Sequence, residues 1–300
     1  ANGAGYSQWH PKLPFIAFQS ETVRQHFTSG ESTKNYPFDI VSDLLLYDIE
    51  KNEVSNILRT KNKVETFMSW SPDGEYLYYA TTDSIYKSAK DVDKIHFDIA
   101  RIKFDATTKT FGAPEIMVNA SKSDSSASGA KISPDGKYML YRRAKYGSYM
   151  QTAKSADIFI MDLSTRESHA LNEINSKDAD SFHDWSSNGR WIMVESRRLD
   201  GNYARVFFAY FDKNGIAHKP FQLPRQNPWY DYYSMKCYNC SEFSTTPAEK
   251  QSFEIFDFME SNDIEKASFV STIDSADANS SATKVDAQSG ASQLNKKTKK

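Results

Sequence analysis

The sequence predicts an all-β protein built as a β-propeller of four-stranded antiparallel blades. Two recurring patterns carry this prediction: a tight hairpin, and an apolar strand that ends in aspartate. They alternate along the chain with a period of about 50–60 residues, which is the length of one blade. An aromatic content of 14% also favours strands.

The hairpin is clearest at residues 70–79, a Trp-Ser-Pro-Asp-Gly turn followed by an aromatic strand. Pro72 presets φ for the second turn position, and Gly74 can adopt the left-handed conformation that closes the turn. The pattern returns at 132–141, more loosely at 185–194, and in a degenerate form at 9–18, where Leu13 replaces the turn glycine. Four blades are therefore visible in the sequence.

The second pattern ends each time in an aspartate just before a turn. The four positions are Asp48, Asp105, Asp162 and Asp212. A series of carboxylates could suggest catalysis. Aspartate at a strand end, however, commonly accepts hydrogen bonds from the backbone of the following turn. We interpret all four as structural.

The repeated Ser-Pro-Asp-Gly hairpin at 71–74, together with the strand at 157–162, resembles the WD-like (PD40) repeats of TolB-like propellers over roughly residues 6–225. The resemblance implies a non-catalytic protein- or ligand-binding scaffold in the bacterial cell envelope, periplasmic or exported. TolB-like propellers have six blades, and two more would require roughly 100–120 residues. We therefore expect the chain, which shows no signal peptide, to be part of a longer protein.

Composition agrees with an ordinary soluble protein. Of its 300 residues 39% are hydrophobic and 25% charged, and the formal net charge of −2 argues against a nucleic-acid partner. No apolar run reaches the ~18 residues of a transmembrane span. We assign residues 1–244 to a partial propeller of about four blades plus a covering segment, and 245–300 to a low-complexity, largely disordered tail. The aromatic stretch 227–243 is either that covering segment or the start of another blade.

No Gly-x-Ser-x-Gly nucleophile motif occurs, so we predict no serine hydrolase and no enzyme, with neither cofactor nor metal. The alternatives are a metal-dependent propeller lyase or hydrolase, and the accessory propeller of a larger hydrolase whose catalytic domain is absent here. His10 and His183 would face the channel in a propeller. We favour histidines satisfied by the backbone of a neighbouring blade over ligands.

Cys237 and Cys240 form a C-x-x-C motif and are the only cysteines. A haem c site would need histidine where Ser241 stands. The favoured interpretation is a pair of free thiols or a local disulfide, ahead of a redox role or a metal site.

Basic and aromatic side chains follow the second strand of several blades, and repeat position places them on one face. Arginine recognises carboxylates and phosphates well, and tyrosine gives contact area at a low entropic cost. The sequence therefore predicts a surface there for a protein or anionic small molecule, against the alternative of solvated loops with inter-blade salt bridges. Its residues are Arg24, Arg142, Arg143, Lys145, Tyr146, Tyr149, Arg197 and Arg198.

Overall fold

The computed structural model describes residues 3–27, 35–58, 60, 63–83, 89–247, 252–261 and 265–270. Nearly all of its regular structure is β. The strands are β1 Gly3–Trp9, β2 Phe15–Phe27, β3 Asn35–Asp48, β4 Glu53–Leu58, β5 Val64–Trp70, β6 Tyr76–Thr82, β7 Asp98–Asp105, β8 Thr110–Phe111, β9 Glu115–Val118, β10 Ser126–Ile132, β11 Tyr138–Ala144, β12 Asp157–Asp162, β13 Ser168–Ala170, β14 Asp180–Trp185, β15 Trp191–Ser196, β16 Arg205–Tyr210, β17 Phe221–Gln222 and β18 Ser268–Val270. The helices are α1 Tyr230–Tyr233 and α2 Ser252–Glu260, with 3-10 turns at Ala89–Lys94 and Ser121–Ser123.

The strands pair as four successive units. Unit 1 is β1–β4, unit 2 is β5–β7 with β9, unit 3 is β10–β13 and unit 4 is β14–β17. Neighbouring strands within every unit are antiparallel. A single parallel bridge between Ser42 and Val64 connects units 1 and 2. The predicted β-propeller class, with its repeated four-stranded antiparallel units, is confirmed.

The predicted turns close alike in units 2, 3 and 4. In unit 2 the Gly74 N–H donates to the Ser71 carbonyl at 2.9 Å, and the Ser71 hydroxyl accepts the Tyr76 N–H at 2.9 Å. The same pair of bonds recurs at Ser133 and Ser186. The φ angles of Gly74, Gly136 and Gly189 are 79°, 72° and 65°, the left-handed region that the sequence predicted.

Unit 1 lacks the turn glycine, and His10 organises its turn instead. The ring Nδ1 accepts the N–H groups of Lys12 and Leu13 at 3.1 and 3.0 Å. Nδ1 therefore carries no proton, and Nε2 donates to the Gly74 carbonyl of unit 2 at 3.1 Å. The expectation that His10 is satisfied by a neighbouring blade's backbone is confirmed.

The strand-ending aspartates behave as predicted. Asp162, for example, accepts the Ser164 N–H at 2.8 Å, and the other three accept backbone N–H groups of their own turns in the same way. Each carboxylate thus fixes the turn that follows its strand.

Consecutive units pack face to face, with a fixed polarity. We call the face of a unit that contacts the following unit its leading face, and the opposite one its trailing face. In unit 3, Leu140 lies on the leading face in a core shared with unit 4, whereas Met139 lies on the trailing face in a core shared with unit 2. Adjacent residues alternate between faces because the side-chain period of a strand is two.

Two boundaries differ from prediction. The many polar residues at 19–39 favour a connection between strands, but β2 extends to Phe27 and β3 begins at Asn35. The two strands keep pairing as far as Phe27 and Asn35, so the ladder satisfies the hydrogen-bonding groups of their backbone. Arg24 consequently lies in a strand. The Ser- and Ala-rich stretch 119–128 favours a linker between blades, but β10 begins at Ser126, so the linker is shorter than this stretch.

Residues 227–243 form a covering segment on unit 4 and not a further blade. Arg205, fully buried, donates to the carbonyls of Asp231, Ser234 and Lys236 and holds this segment in place. Within the stretch predicted to be a disordered tail, α2 forms a helix and β18 pairs in parallel with β4. The tail assignment itself stays a prediction, since residues 271–300 lie outside the described residues. No helix in the described residues is long and apolar enough to cross a membrane.

Candidate functional site: a cavity around Arg142

The first strands of the four units all break register at the same place. The shifts lie between Gly5 and Gln8, Thr66 and Ser69, Ser128 and Lys131, and Asp180 and His183. A bulge of this kind redirects a side chain. The redirected positions line one cavity of about 80 Å³, and they are Tyr6, Phe67, Gly129 and Phe182.

Glycine at the third of these positions admits an arginine. Where units 1, 2 and 4 place an aromatic ring, Gly129 has no side chain, and the Arg142 guanidinium of β11 occupies the space. A Cβ at Gly129 would lie 3.2 Å from Arg142 Cζ. The φ of 68° at Gly129 is a second reason for glycine there.

Arg142 is buried, with 1% of its surface exposed. Its Nε donates to the Ser128 hydroxyl at 2.8 Å. Its Cζ lies 4.3 Å from the ring centre of Phe67 and 4.4 Å from that of Phe182, so two rings contact the cation. Nη2 has no hydrogen-bond partner. Within the described residues no carboxylate lies within 4 Å of the guanidinium.

Burial lowers the pKa of Arg142, and the nearby groups Tyr6, Cys240, Tyr149 and Glu195 oppose that shift. Arginine nevertheless keeps its proton, because its ordinary pKa lies above 12. A buried cation without a counter-ion is costly, so an anion that reached Nη2 would be stabilised.

The covering segment closes the cavity from one side, where Cys240, Ser241 and Glu242 form part of the wall. Ser241 donates through both its N–H and its hydroxyl to Glu195 Oε1, each at 2.8 Å. Gln151 donates to Glu195 Oε2 at 3.1 Å and to the Tyr238 carbonyl at 2.6 Å. Burial raises the pKa of Glu195, which these donors oppose.

His183 also lines the cavity. Its Nδ1 lies 2.9 Å from the Ser181 carbonyl. Burial is the main cause that lowers the pKa of His183 to about 4. The cations of Arg142 and Lys131 act in the same direction, and the carbonyls of Ser181 and Leu140 oppose it. The imidazole is therefore neutral near pH 7.

Both cysteines are free thiols, so the alternative of a local disulfide is not realised. The Ala204 N–H lies 3.3 Å from Cys237 Sγ. Although Cys240 is exposed as a residue, its thiol sits against the cavity wall, and this burial raises its pKa to about 11. In the part of the chain that the structure describes, no three His, Cys, Asp or Glu side chains group closely enough to hold a metal ion.

The structure does not gather the predicted arginines at one place. Arg143, next to Arg142 in β11, points to the opposite face and donates to the Ser125 hydroxyl at 2.9 Å. Arg198 pairs with the buried Asp180 carboxylate at 2.8 Å. Neither contact is a salt bridge between units, so these two arginines support neither the predicted binding surface nor the alternative of inter-blade salt bridges.

The remaining predicted residues are spread differently. Arg197 is buried, Lys145 exposed and Tyr146 half-buried. The Tyr149 ring lies 5.9 Å from that of Phe182, beside the cavity. The side chain of Arg24 lies outside the described residues. Of the residues predicted for binding, Arg142 thus lines the cavity, with Tyr149 adjoining it.

Sequence reasoning missed Tyr6, Phe67, Gly129, Phe182 and Glu195. The sequence does contain a signal for several of these residues. The bulged residue stands three positions before the last residue of each first strand, so aligning the repeats places Tyr6 and Phe182 in one column with Gly129. Likewise Glu195 and Arg142 each follow their turn glycine by six residues. A positive and a negative side chain at equivalent positions of units 3 and 4 indicate that these two positions lie close to the same site.

No family model matches the sequence, and no curated protein matches it. Among solved structures, the chain is similar to TolB from Acinetobacter baumannii, with 18% identity and a TM-score of 0.46, over 74% of this chain and 45% of that one. A putative TolB from Agrobacterium tumefaciens gives 16% identity and a TM-score of 0.43, over 75% and 63%.

A luciferin-regenerating enzyme gives 10% identity and a TM-score of 0.46, over 77% of this chain and 62% of that one. The similar structures thus include an enzyme as well as TolB proteins. The chain spans 45% to 63% of the length of these three proteins. The fold assignment rests on the strand pairing described above.

Proposed function

We propose that this protein is a non-catalytic binding scaffold that holds a carboxylate group of its partner in the Arg142 cavity. The observation that carries the proposal is the Arg142 guanidinium, buried without a carboxylate, with Nη2 unpartnered at a cavity of about 80 Å³. A buried cation in this state is a receptor for an anion.

The walls favour a carboxylate attached to a hydrocarbon chain. Phe67 and Phe182 offer apolar surface on both sides of the cation, and Tyr6 lies 4.4 Å from Phe67, ring centre to ring centre. The volume suits a small planar group, and arginine pairs with carboxylates through parallel N–H donors. An acidic side chain of a partner protein or a small organic acid would both present this chemistry.

Two titratable side chains that line the cavity, His183 and Cys240, favour binding over catalysis. The pKa of His183 is about 4 and that of the Cys240 thiol about 11. A general acid or base works best with a pKa near the ambient pH, and a thiol must ionise to act as a nucleophile. Neither group meets its requirement near neutrality.

The proposed location is the periplasm or the cell exterior. The support is the sequence resemblance of the Ser-Pro-Asp-Gly repeats to those of TolB-like propellers, and no charge pattern or motif argues for another compartment. The same resemblance supports a protein partner ahead of a free metabolite.

Calorimetric titration with acetate and with a glutamate-rich peptide tests the proposal and separates the two sources of carboxylate. We expect Arg142→Met to weaken binding at least about tenfold, the loss of one charge-assisted contact. Arg143→Met is the matched control, because Arg143 is the neighbouring arginine outside the cavity, and it should bind as the wild type does. Equal affinity in Arg142→Met, or no binding of either probe by the wild type, would overturn the proposal. Ester, peptide or glycoside turnover abolished by His183→Asn would overturn the non-catalytic assignment.

A further inference from the structure

Two carboxylates of unit 1 lie together where this unit packs against unit 2. Phe15 and Ala17 of β2 belong to the core shared with unit 2, and the two-residue period of a strand places Gln19 and Glu21 on the same leading face. Burial and then the charge of Glu21 raise the pKa of the Asp39 carboxyl in β3 to about 6. The two carboxylates are therefore close neighbours.

Gln19 connects the two carboxylates. Its Nε2 donates to Glu21 Oε2, and the side chains of Thr66 and Gln19 lie close enough to Asp39 to lower the pKa of its carboxyl against the effect of burial. Thr66 belongs to β5 of unit 2, so the cluster spans the junction of the two units. Gln19 and Thr66 are both 0% exposed, and Asp39 is 5% exposed.

The cluster combines unpartnered oxygen atoms with negative charge. Gln19 Oε1 and Thr66 Oγ1 have no partner at hydrogen-bond distance and angle. No lysine, arginine or histidine in the described residues is close enough to shift the pKa of Glu21 or Asp39. Asp39 is mostly ionised at pH 7, and a buried carboxylate without a cation is costly. A cation that reached these oxygens would therefore be stabilised.

Gly5 leaves the space that the Glu21 carboxylate fills. It stands opposite Gln19 in the ladder of β1 and β2, and a Cβ on Gly5 would overlap the carboxylate oxygens of Glu21. All members of the cluster thus lie on strands inside units 1 and 2, namely β1, β2, β3 and β5. The cluster depends neither on the trailing face of unit 1 nor on the leading face of unit 4.

We propose that the carboxylates of Glu21 and Asp39, with Gln19 Oε1 and Thr66 Oγ1, form a calcium site between units 1 and 2. All four side chains offer oxygen, which calcium prefers, and two carboxylates balance its charge. Calcium accepts irregular geometry and completes its coordination with water, whereas magnesium demands a near-ideal octahedron. With only two carboxylates, the site agrees with the lack of any group of three His, Cys, Asp or Glu ligands in the described residues.

Calorimetric titration of the full chain with calcium chloride at pH 8 tests the proposal. We expect a Kd of about 10⁻⁴–10⁻³ M, the range of extracellular calcium modules. Asp39→Asn should weaken binding at least about tenfold, because it removes one of the two charges. Asp93→Asn is the matched control, the same substitution at an exposed position, and should bind as the wild type does. Gly5→Ala should also weaken binding, because it displaces the Glu21 carboxylate while keeping all four ligands.

Thermal unfolding separates calcium binding from a proton shared by the two carboxylates. Millimolar calcium should raise the Tm of the wild type and of Asp93→Asn, and raise that of Asp39→Asn less, since a ligand stabilises only the state that binds it. A shared proton would instead leave the wild type without a calcium response, and this result would overturn the proposal. Equal calcium affinity in Asp39→Asn or Gly5→Ala, or tighter binding of magnesium than of calcium by the wild type, would overturn it as well.

Discussion

Replacing Arg142 by methionine should make the protein more stable while removing its proposed binding capacity. The guanidinium is buried without a counter-ion, and methionine fills a similar volume without a charge. Exchanging buried ionic groups for apolar ones of similar size is often neutral or stabilising by about 1–4 kcal/mol.

The structure indicates the lower part of that range. The Arg142→Met variant loses the two contacts of the guanidinium with aromatic rings, each worth about 1–2 kcal/mol when desolvated, and one hydrogen bond to Ser128. The Ser128 hydroxyl still donates to the Ser148 carbonyl at 2.7 Å, so no buried donor is orphaned. We expect the free energy of unfolding to rise by about 1 kcal/mol.

Urea unfolding followed by circular dichroism measures this change, with Arg143→Met as the control for loss of an arginine outside the cavity. A fall of more than about 1 kcal/mol in Arg142→Met would refute the reasoning. It would mean that the guanidinium stabilises the junction of units 2, 3 and 4, and that its isolation is structural. Saturating acetate should narrow the difference in the free energy of unfolding between wild type and Arg142→Met. The ligand stabilises only the folded wild type, which binds it.

Two further predictions concern stability. Gly136→Ala should lower the free energy of unfolding by about 1 kcal/mol through its left-handed φ alone, since no atom lies within 4 Å of the added Cβ. Gly74→Ala should lower it more, because the added Cβ would overlap the His10 ring. Equal losses of stability in thermal unfolding would contradict this packing argument. Burial raises the pKa of Glu65 to about 7, so the folded state favours the protonated carboxyl. This preference stabilises the fold at pH 4.5, and the stabilisation, up to about 3 kcal/mol in the free energy of unfolding, is lost as pH rises through 7. Glu65→Gln should remove that loss of stability at pH 8, whereas Glu75→Gln, at an exposed position, should not. If the stability of Glu65→Gln changed with pH in parallel with that of the wild type, the assignment to Glu65 would be refuted.

The repeat made most of the fold predictable. Turn chemistry at Pro72 and Gly74 is local, and the same turn recurs at fixed intervals, so strand order and pairing follow from the sequence. The long β2–β3 hairpin was not predictable in this way. Polar residues such as Arg24, Gln25 and His26 interrupt the apolar pattern of β2, and backbone pairing between two strands does not depend on that pattern.

The candidate site was predictable only in part. Arg142 was singled out as part of an arginine surface, but its burial depends on Gly129, on a different strand, leaving room for it. Nothing local to Arg142 and Arg143 tells which of the two turns inward. The phase of the strand relative to the core decides this, and it becomes visible only when the repeats are aligned.

The pairing of β18 with β4 bears on which part of the structure opens first during unfolding. Asn52 and Lys266, joined by a hydrogen bond at this junction, are 214 residues apart in sequence. Chain entropy opposes closing so long a loop, although the cost grows only with the logarithm of its length, and three residue pairs in a parallel ladder give little in return. Hydrogen exchange should therefore find the amides of Ser268–Val270 the first to open, while the amides of β2 and β6 wait for global unfolding. In folding, the hairpins of the four units would form early from local contacts, and this link would be the last to form.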